Sequence, residues 1–405
     1  MLQVPSSRSR PERLPLAIVA LAACTFAFGT AEFAIMGVLP EVAAGFDVSI
    51  PTAGHLMSAY AIGVVVGAPL LTAAGTRLPR RSLLVLLMGC FTVGSVLSAA
   101  APSYGWMLVG RVVTALPHGA VMGIGAVVAT QLVPPHRRAA AITGVFLGLT
   151  IANVAGAPLS TALGQALGWR STFWLLVGVG AVSMVAVALL VPAGPRPAGA
   201  SLRGELRTLR RPRVVLLLGT TVVAFAAVFA SYGYVAPQVT DVAGLPEGAT
   251  VWVMATFGIG MTAGNLLSAR LQGGPLGRRP RVLVTGALLA LVGALSALIG
   301  LAHGGVTIFV GMGLLGVVVF VAVPIIQARV IELTHDAPTL SAASVHAAFN
   351  TANAIGPLLA GLAIDGGHGV ASVNVVALGL ALTGLLLWLG GLGVVRRIEA
   401  RPVPA

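Results

Sequence analysis

Apolar residues run along this chain in long blocks separated by short polar breaks. A helix rises 1.5 Å per residue, so about 20 apolar residues cross the ~30 Å hydrocarbon core of a bilayer. Blocks of that length predict twelve transmembrane helices, over 16–40, 53–74, 83–101, 104–130, 140–163, 172–192, 214–238, 250–269, 282–301, 305–329, 340–363 and 371–394. The block at 340–363 is the weakest, because it carries His346, Asn350 and Asn353. The longest polar interruption, 193–213, is rich in Pro and Arg and leaves six blocks on each side.

The two sides repeat. Ile62-Gly63-x-x-x-Gly67 recurs as Ile259-Gly260-x-x-x-Gly264, and Arg80-Arg81 recurs as Arg278-Arg279. Thr150-x-x-Asn153-x-x-Gly156-x-Pro158 recurs as Thr351-x-Asn353-x-x-Gly356-Pro357 at nearly the same offset. Any one match is weak in a Gly- and Ala-rich chain; three around one linker are not. The pattern predicts an all-α membrane protein of two six-helix bundles, 1–192 and 214–405, joined by a 193–213 linker. A site near the midplane between them is the expected consequence.

Composition narrows the choice. Hydrophobic residues make up 57% of the chain and charged residues 9%, against about 25% charged in soluble domains. The net charge of +13 raises nucleic acid as a partner, but its distribution removes that reading. All 24 basic residues are Arg, and a twelve-span path puts all but Arg111 and Arg170 on one side. They cluster at Arg8 to Arg13, Arg77 to Arg81, Arg137 and Arg138, in the linker, at Arg270 to Arg281, at Arg329 and in the tail. The positive-inside rule makes that side cytoplasmic, with both termini on it. The opposite loops carry Glu41, Asp47, Asp241, Glu247 and Asp365. The charge thus serves topology, with membrane lipids as a further partner.

Other chemistry is sparse. Cys24 and Cys90 lie in apolar blocks and support neither a disulfide framework nor a zinc site. Leu21-Ala22-Ala23-Cys24 resembles a lipoprotein cleavage box, but the apolar run continues to Pro40, so the segment is expected to stay as a helix. Gly311-Met312-Gly313-Leu314-Leu315-Gly316 fits a dinucleotide fingerprint without the strand before it or the acid after it. It reads as helix packing, as does Gly119-x-x-x-Gly123. No nucleophile or metal-ligand constellation appears, so neither an enzyme nor a cofactor is expected.

Glu32 is the only acid inside any block. A carboxylate there costs about 2.5–3.5 kcal/mol to insert and needs a partner, a cavity or a proton. Arg111 lies at matching depth, roughly 10–12 Å below the outer surface. Two readings stay open: a fixed ion pair, or a protonatable acid whose proton affinity follows the distance of the cation. His118 follows Arg111 by two helical turns beside Pro117, which invites a kink, and joins the proton-coupling candidates. Phe28, Phe33, Tyr60, His118, Asn153, Phe229, Tyr232, His346, Asn350 and Asn353 are the candidate lining of a solute cavity. Tyr104, Trp106, Trp169 and Trp252 read as interfacial anchors.

Taken together the residues resemble the major facilitator superfamily, in its twelve-helix drug/proton antiporter branch. The likeness to chloramphenicol-resistance and arabinose- or sugar-efflux permeases is carried by GTAEFAIMGVLPEVAAGFDVS at 29–49, AYAIGVVVGAPLL at 59–71, RVVTALPHGAVMG at 111–123 and GLTIANVAGAPLSTALGQALGWRSTFW at 148–174. FNTANAIGPLLAGLAIDGG at 349–367 is the best match in the second half. The resemblance implies a monomeric secondary transporter in a bacterial plasma membrane, exporting a small drug-like or sugar-like solute against protons by alternating access. Uptake by symport or facilitated diffusion on the same fold is the alternative; a non-transporting receptor fits less well, since no sizeable soluble domain is present. Arg111 matches the fourth-helix arginine implicated in proton transfer, and Glu32 the first-helix acid. Gly148, Gly156 and Pro158 match the antiporter motif of the fifth helix, with Gly356 and Pro357 as their counterparts in the eleventh. Arg77, Arg80 and Arg81 match the basic loop between helices two and three. That loop departs from the family in having Thr76 where an acid is usual, and Ala157 and Ser160 stand where Gly is common.

Overall fold

The computed structural model describes residues 15–74, 78–193, 211–334 and 338–399. Among these, twelve helices are long and apolar enough to cross a membrane. They are α1 Leu16–Gly37, α2 Ile50–Ala68, α3 Arg80–Ala99, α4 Tyr104–Gln131, α5 Pro135–Leu167 and α6 Arg170–Leu190 in the first half of the chain. The second half has α7 Pro212–Tyr232, α8 Ala249–Gly273, α9 Pro280–Leu301, α10 Thr307–Leu333, α11 Ser344–His368 and α12 Ser372–Val395. Most of the 193–213 linker, with Thr76 and Arg77, lies outside the described residues.

Proline explains where the helices depart from uniform rods. α1 stops at Gly37, short of the expected Pro40. Val38 leaves helical dihedrals and Pro40 takes the second position of a short helix, Leu39–Phe46, where its missing N–H costs nothing. α4 breaks at Leu116 and Pro117 into Tyr104–Ala115 and His118–Gln131. α5 widens into one π-helical turn, Ala152–Gly156, just before Pro158; an extra residue absorbs the hydrogen bond that proline cannot make. α7 ends at Tyr232 rather than 238, and the chain continues as Val235–Pro237 and a second π-helical turn, Gln238–Val242.

Glycine decides which helices touch. Lipid tails are as apolar as leucine, so helices gain little by hiding leucine from them, and close backbone approach must hold them instead. A Cβ on Gly67 of α2 would lie 2.1 Å from the Leu116 carbonyl oxygen of α4, and one on Gly264 of α8 would lie 2.2 Å from the Val317 oxygen of α10. Likewise Gly148 of α5 sits against Ala22 of α1, and Gly356 of α11 against Ala226 of α7. Spans two, four, five and one of the first half therefore meet as eight, ten, eleven and seven do in the second. The sequence repeat is an architectural repeat, and the fold is two six-helix bundles.

The bundles meet at the end that the arginine count assigns to the outside. Ser58 Oγ donates to the Ala354 carbonyl at 2.7 Å, and Gln165 Nε2 to the Glu247 carbonyl at 3.1 Å. Gly258 of α8 lies on the Asn153 carbonyl of α5, where a Cβ would be 2.6 Å away. Trp106 and Trp252 are exposed, but Trp169 is buried against Phe46 and Phe173 with the Arg170 guanidinium over its ring; it packs the end of the bundle rather than anchoring it in the interface.

Gly67→Ala should force α2 off α4 and lower stability by about 1–3 kcal/mol, the usual cost of overpacking. Gly123→Ala, with no neighbour within 4 Å, should leave the melting temperature of the purified protein unchanged. Equal melting temperatures for the two variants would show that the α2–α4 approach is not tight.

Candidate functional site

Arg111 is 1% exposed, in the middle of the first bundle. A guanidinium in that setting must spend its donors on the protein. Its Nη1 donates to the Ala31 carbonyl of α1 at 2.8 Å and its Nε to the Leu56 carbonyl of α2 at 3.4 Å. Both carbonyls belong to helices, but each keeps a second lone pair for an outside donor. The guanidinium carbon stands 4.3 Å from the centre of the Tyr60 ring, a cation–π contact that strengthens when desolvated. Its Nη2 is buried without a partner.

The half-buried Glu32 is next to Ala31 in sequence, yet among the described residues no ion pair joins it to Arg111. Its Oε1 accepts from Asn353 Nδ2 of α11 at 3.0 Å. The acid of the first bundle is therefore held by an amide of the second. A fixed ion pair, one of the two readings open from sequence, is absent here.

His118 lies in the same packed group, 4% exposed. Its ring stacks on Phe28 with centroids 4.9 Å apart, and its Nδ1 shares a 3.2 Å hydrogen bond with the Tyr60 hydroxyl. Phe33 meets Tyr232 edge-on across the bundles at 6.1 Å, and Tyr232 stacks on Phe257 at 3.9 Å. Phe229 is buried in the same core. His346 stacks on Phe146 of α5, centroids 6.2 Å apart. Asn350 Nδ2 donates back along its own helix to the His346 carbonyl, and Asn153 Nδ2 likewise to Leu149.

The structure thus gathers Phe28, Glu32, Tyr60, Arg111, His118 and Asn353 into one connected group, with Phe33 and Tyr232 beside it. Gly156 abuts Thr30, two residues from Glu32, so the α5 motif with Gly148 and Pro158 sets how near α1 can come. On α11, the Pro357 carbonyl accepts from the Tyr234 hydroxyl. Arg80 and Arg81 stand apart at the start of α3. Sequence reading missed a buried network in which Ser231 Oγ donates to Asn374 Oδ1, Asn374 Nδ2 to Gln238 Oε1 and Gln238 Nε2 to the Ser231 carbonyl. Two amides in otherwise apolar blocks were its only trace. Phe146, against His346, had no distinguishing mark.

The model of the Major Facilitator Superfamily matches residues 21–361. The chain belongs to that superfamily. This facilitator is 40% identical over 372 residues to the inner membrane transport protein YdhP of Escherichia coli (strain K12), covering 92% of this chain and 94% of that protein. It is 36% identical over 355 residues to the chloramphenicol resistance protein of Streptomyces lividans, covering 86% and 88%. Among solved structures, a bacterial homolog of the human lysosomal transporter Spinster, in an inward-facing and occupied conformation, shares the fold with a TM-score of 0.74 at 16% identity, over 96% of this chain and 98% of that one. The facilitator is a multi-pass inner-membrane transporter.

Lysine carries a point charge and cannot serve two carbonyls while facing a ring. Arg111→Lys should therefore lose about 1–3 kcal/mol by giving up one buried hydrogen bond to a charged group and the contact with the Tyr60 ring, seen as a lower melting temperature; wild-type stability in that variant would contradict the bonding described. At the bundle end, burial, and after it the charge of Glu247 across the seam, raise the Glu41 carboxyl above its ordinary range, against partial relief from its own backbone and Gln165. The folded protein then binds that proton more tightly than the unfolded chain. Stability is full at acid pH and is lost as pH rises through the folded value. Between about pH 8 and about pH 5 the melting temperature should climb more in wild type than in Glu41→Gln, and parallel curves would refute the coupling.

Proposed function

We propose that this facilitator exports a small neutral drug-like or sugar-like solute in exchange for protons, with Glu32 as the proton carrier. The observation that carries the reading is the engagement of Glu32. Arg111 is committed to two backbone carbonyls, so it stands near the acid as a fixed charge without neutralising it. The carboxyl is left to exchange a proton. Its one hydrogen bond crosses to the other bundle, so a change in its charge bears on how the bundles sit together.

Alternating access then runs as a rocking of residues 1–192 against 214–405, with both termini in the cytoplasm and the protein acting as a monomer. Glu32 takes a proton when the seam opens to the outside and releases it inward once solute occupies the cavity. One charge crossing 100 mV supplies about 2.3 kcal/mol, roughly fifty-fold accumulation per proton. The relationship to the chloramphenicol resistance protein of Streptomyces lividans supports export and a drug-like cargo.

Chloramphenicol flux in proteoliposomes, with the pH gradient imposed in each direction, tests the proposal. Wild type should move the drug against the proton flow. Glu32→Gln should lose that coupling and still bind the drug. Undiminished gradient-driven flux in Glu32→Gln would remove Glu32 from the mechanism, and drug moving with the protons would make the protein a symporter.

A further inference from the structure

Among the described residues nine buried side-chain polar atoms find no partner in the protein, and two of them sit on one face of α11. Asn350 is 5% exposed and Asn353 1% exposed; the Oδ1 of each is buried and unpartnered. Their orientation follows from the other edge of each amide. A carbonyl oxygen only accepts, and of the two amide edges only Nδ2 donates, so the His346 carbonyl fixes Asn350 Nδ2 toward itself and turns Oδ1 away. The carboxylate oxygen of Glu32 does the same to Asn353. Residues three apart on a helix are neighbours, with Cβ atoms about 5–6 Å apart. A buried acceptor left without a donor is costly, and natural proteins keep such groups where something else supplies the donor. The surroundings limit what that is. Glu32 beside Asn353 is a poor neighbour for an organic anion, and with that carboxyl given to the coupling proton only two amide dipoles remain for the solute. His346, one turn from Asn350 and stacked on Phe146, presents flat apolar surface at the same place.

We infer that Asn350 and Asn353 are the specificity pair of the solute site, their carbonyl oxygens accepting hydrogen bonds from two donors, hydroxyl or amide N–H, of a neutral solute whose flat part lies against His346 and Phe146. The inference rests on the export reading and goes beyond it by naming what the cargo must carry. Solutes with two closely spaced donors are selected, and analogues with one donor removed are rejected. Asn353 has a double task, since its N–H edge reads Glu32 and its C=O edge reads the solute. Asn350 has the single one.

Thiamphenicol and florfenicol differ only in a hydroxyl replaced by fluorine, which makes them a clean probe pair. Full-length protein in a host lacking its own pumps should export thiamphenicol about tenfold better than florfenicol, the scale of one net hydrogen bond. Asn350→Leu and Asn353→Leu should bring the two drugs within about twofold of each other; an unchanged ratio in both variants overturns the assignment. A second measurement needs no ligand. If Asn350 Oδ1 serves only solute, ligand-free Asn350→Leu and Asn350→Ala should include at least one variant melting at or above the wild-type temperature. A drop of several degrees in both would make Asn350 a structural residue and also overturn the assignment. Should wild type export neither drug, the choice of amphenicols as cargo fails, and the melting comparison decides for or against the asparagines by itself.

Discussion

A guanidinium in the interior of a membrane protein has no water to fall back on, and the way Arg111 meets that constraint organises the first bundle. Its donors reach α1 at Ala31 and α2 at Leu56, and its flat face covers Tyr60. Three helices are thereby tied to one side chain. Tyr60 in turn reaches His118 and the Phe28 carbonyl, so the ties continue past the Pro117 break in α4. Backbone and ring take up Nε, Nη1 and the flat face while Nη2 stays without a partner, and the carboxylate nearby is left for other work. Had Arg111 closed on Glu32, both would be neutralised and the acid would have no reason to face the second bundle.

The second constraint is that leucine against lipid drives nothing. Helix contacts within each bundle are set where a backbone carbonyl occupies the space of a missing side chain, at Gly67, Gly148, Gly264 and Gly356. Such contacts are short and unforgiving, which makes each bundle a stiff body. The seam between the bundles is built otherwise. Its glycine approaches meet side chains as well as backbone, Gly37 on Met254 and Gly54 on Tyr234 beside Gly258 on the Asn153 carbonyl, and it is joined by single hydrogen bonds from Ser58, Gln165 and Asn353 and by ring contacts such as Phe33 on Tyr232. Bonds of that kind, each worth on the order of 1 kcal/mol, break singly.

Much of the fold was legible in the sequence because it follows from local rules. Twenty apolar residues span a bilayer whatever they pack against, and Pro117 and Pro158 break or widen a helix through their own missing N–H. The repeat of Gly63 and Gly67 as Gly260 and Gly264 named the tight seams before their partners were known. What depth along a helix does not reveal is azimuth. Glu32 and Arg111 were placed at one level, but whether they face each other depends on how α1 and α4 are rotated and on what else competes for the guanidinium. Two carbonyls with spare lone pairs won. Asn353 was legible as a polar residue in a weak span; that it reaches α1, 321 residues away, is a property of how the bundles meet. Trp169 misled because an aromatic at a helix start suits an interface as well as a core, and here Phe46, with the short helix after Gly37, covers it.

The Glu32 carboxyl and the proposed solute site meet at Asn353. An amide side chain holds a donor edge and an acceptor edge fixed in opposite directions. When its donor edge faces an ionised carboxylate, its acceptor edge must face away, toward whatever occupies the seam. Protonation turns the carboxyl from a pure acceptor into a group that also donates, and the amide no longer has a compelled orientation. A change at Glu32 is then felt on the far side of Asn353 as a change in hydrogen-bonding character, without a second titrating group or a long chain of contacts. In the proposed exchange, a single acid in the first bundle, bonded to a single amide in the second, would be sufficient chemistry to link a proton on one side of the seam to a solute on the other.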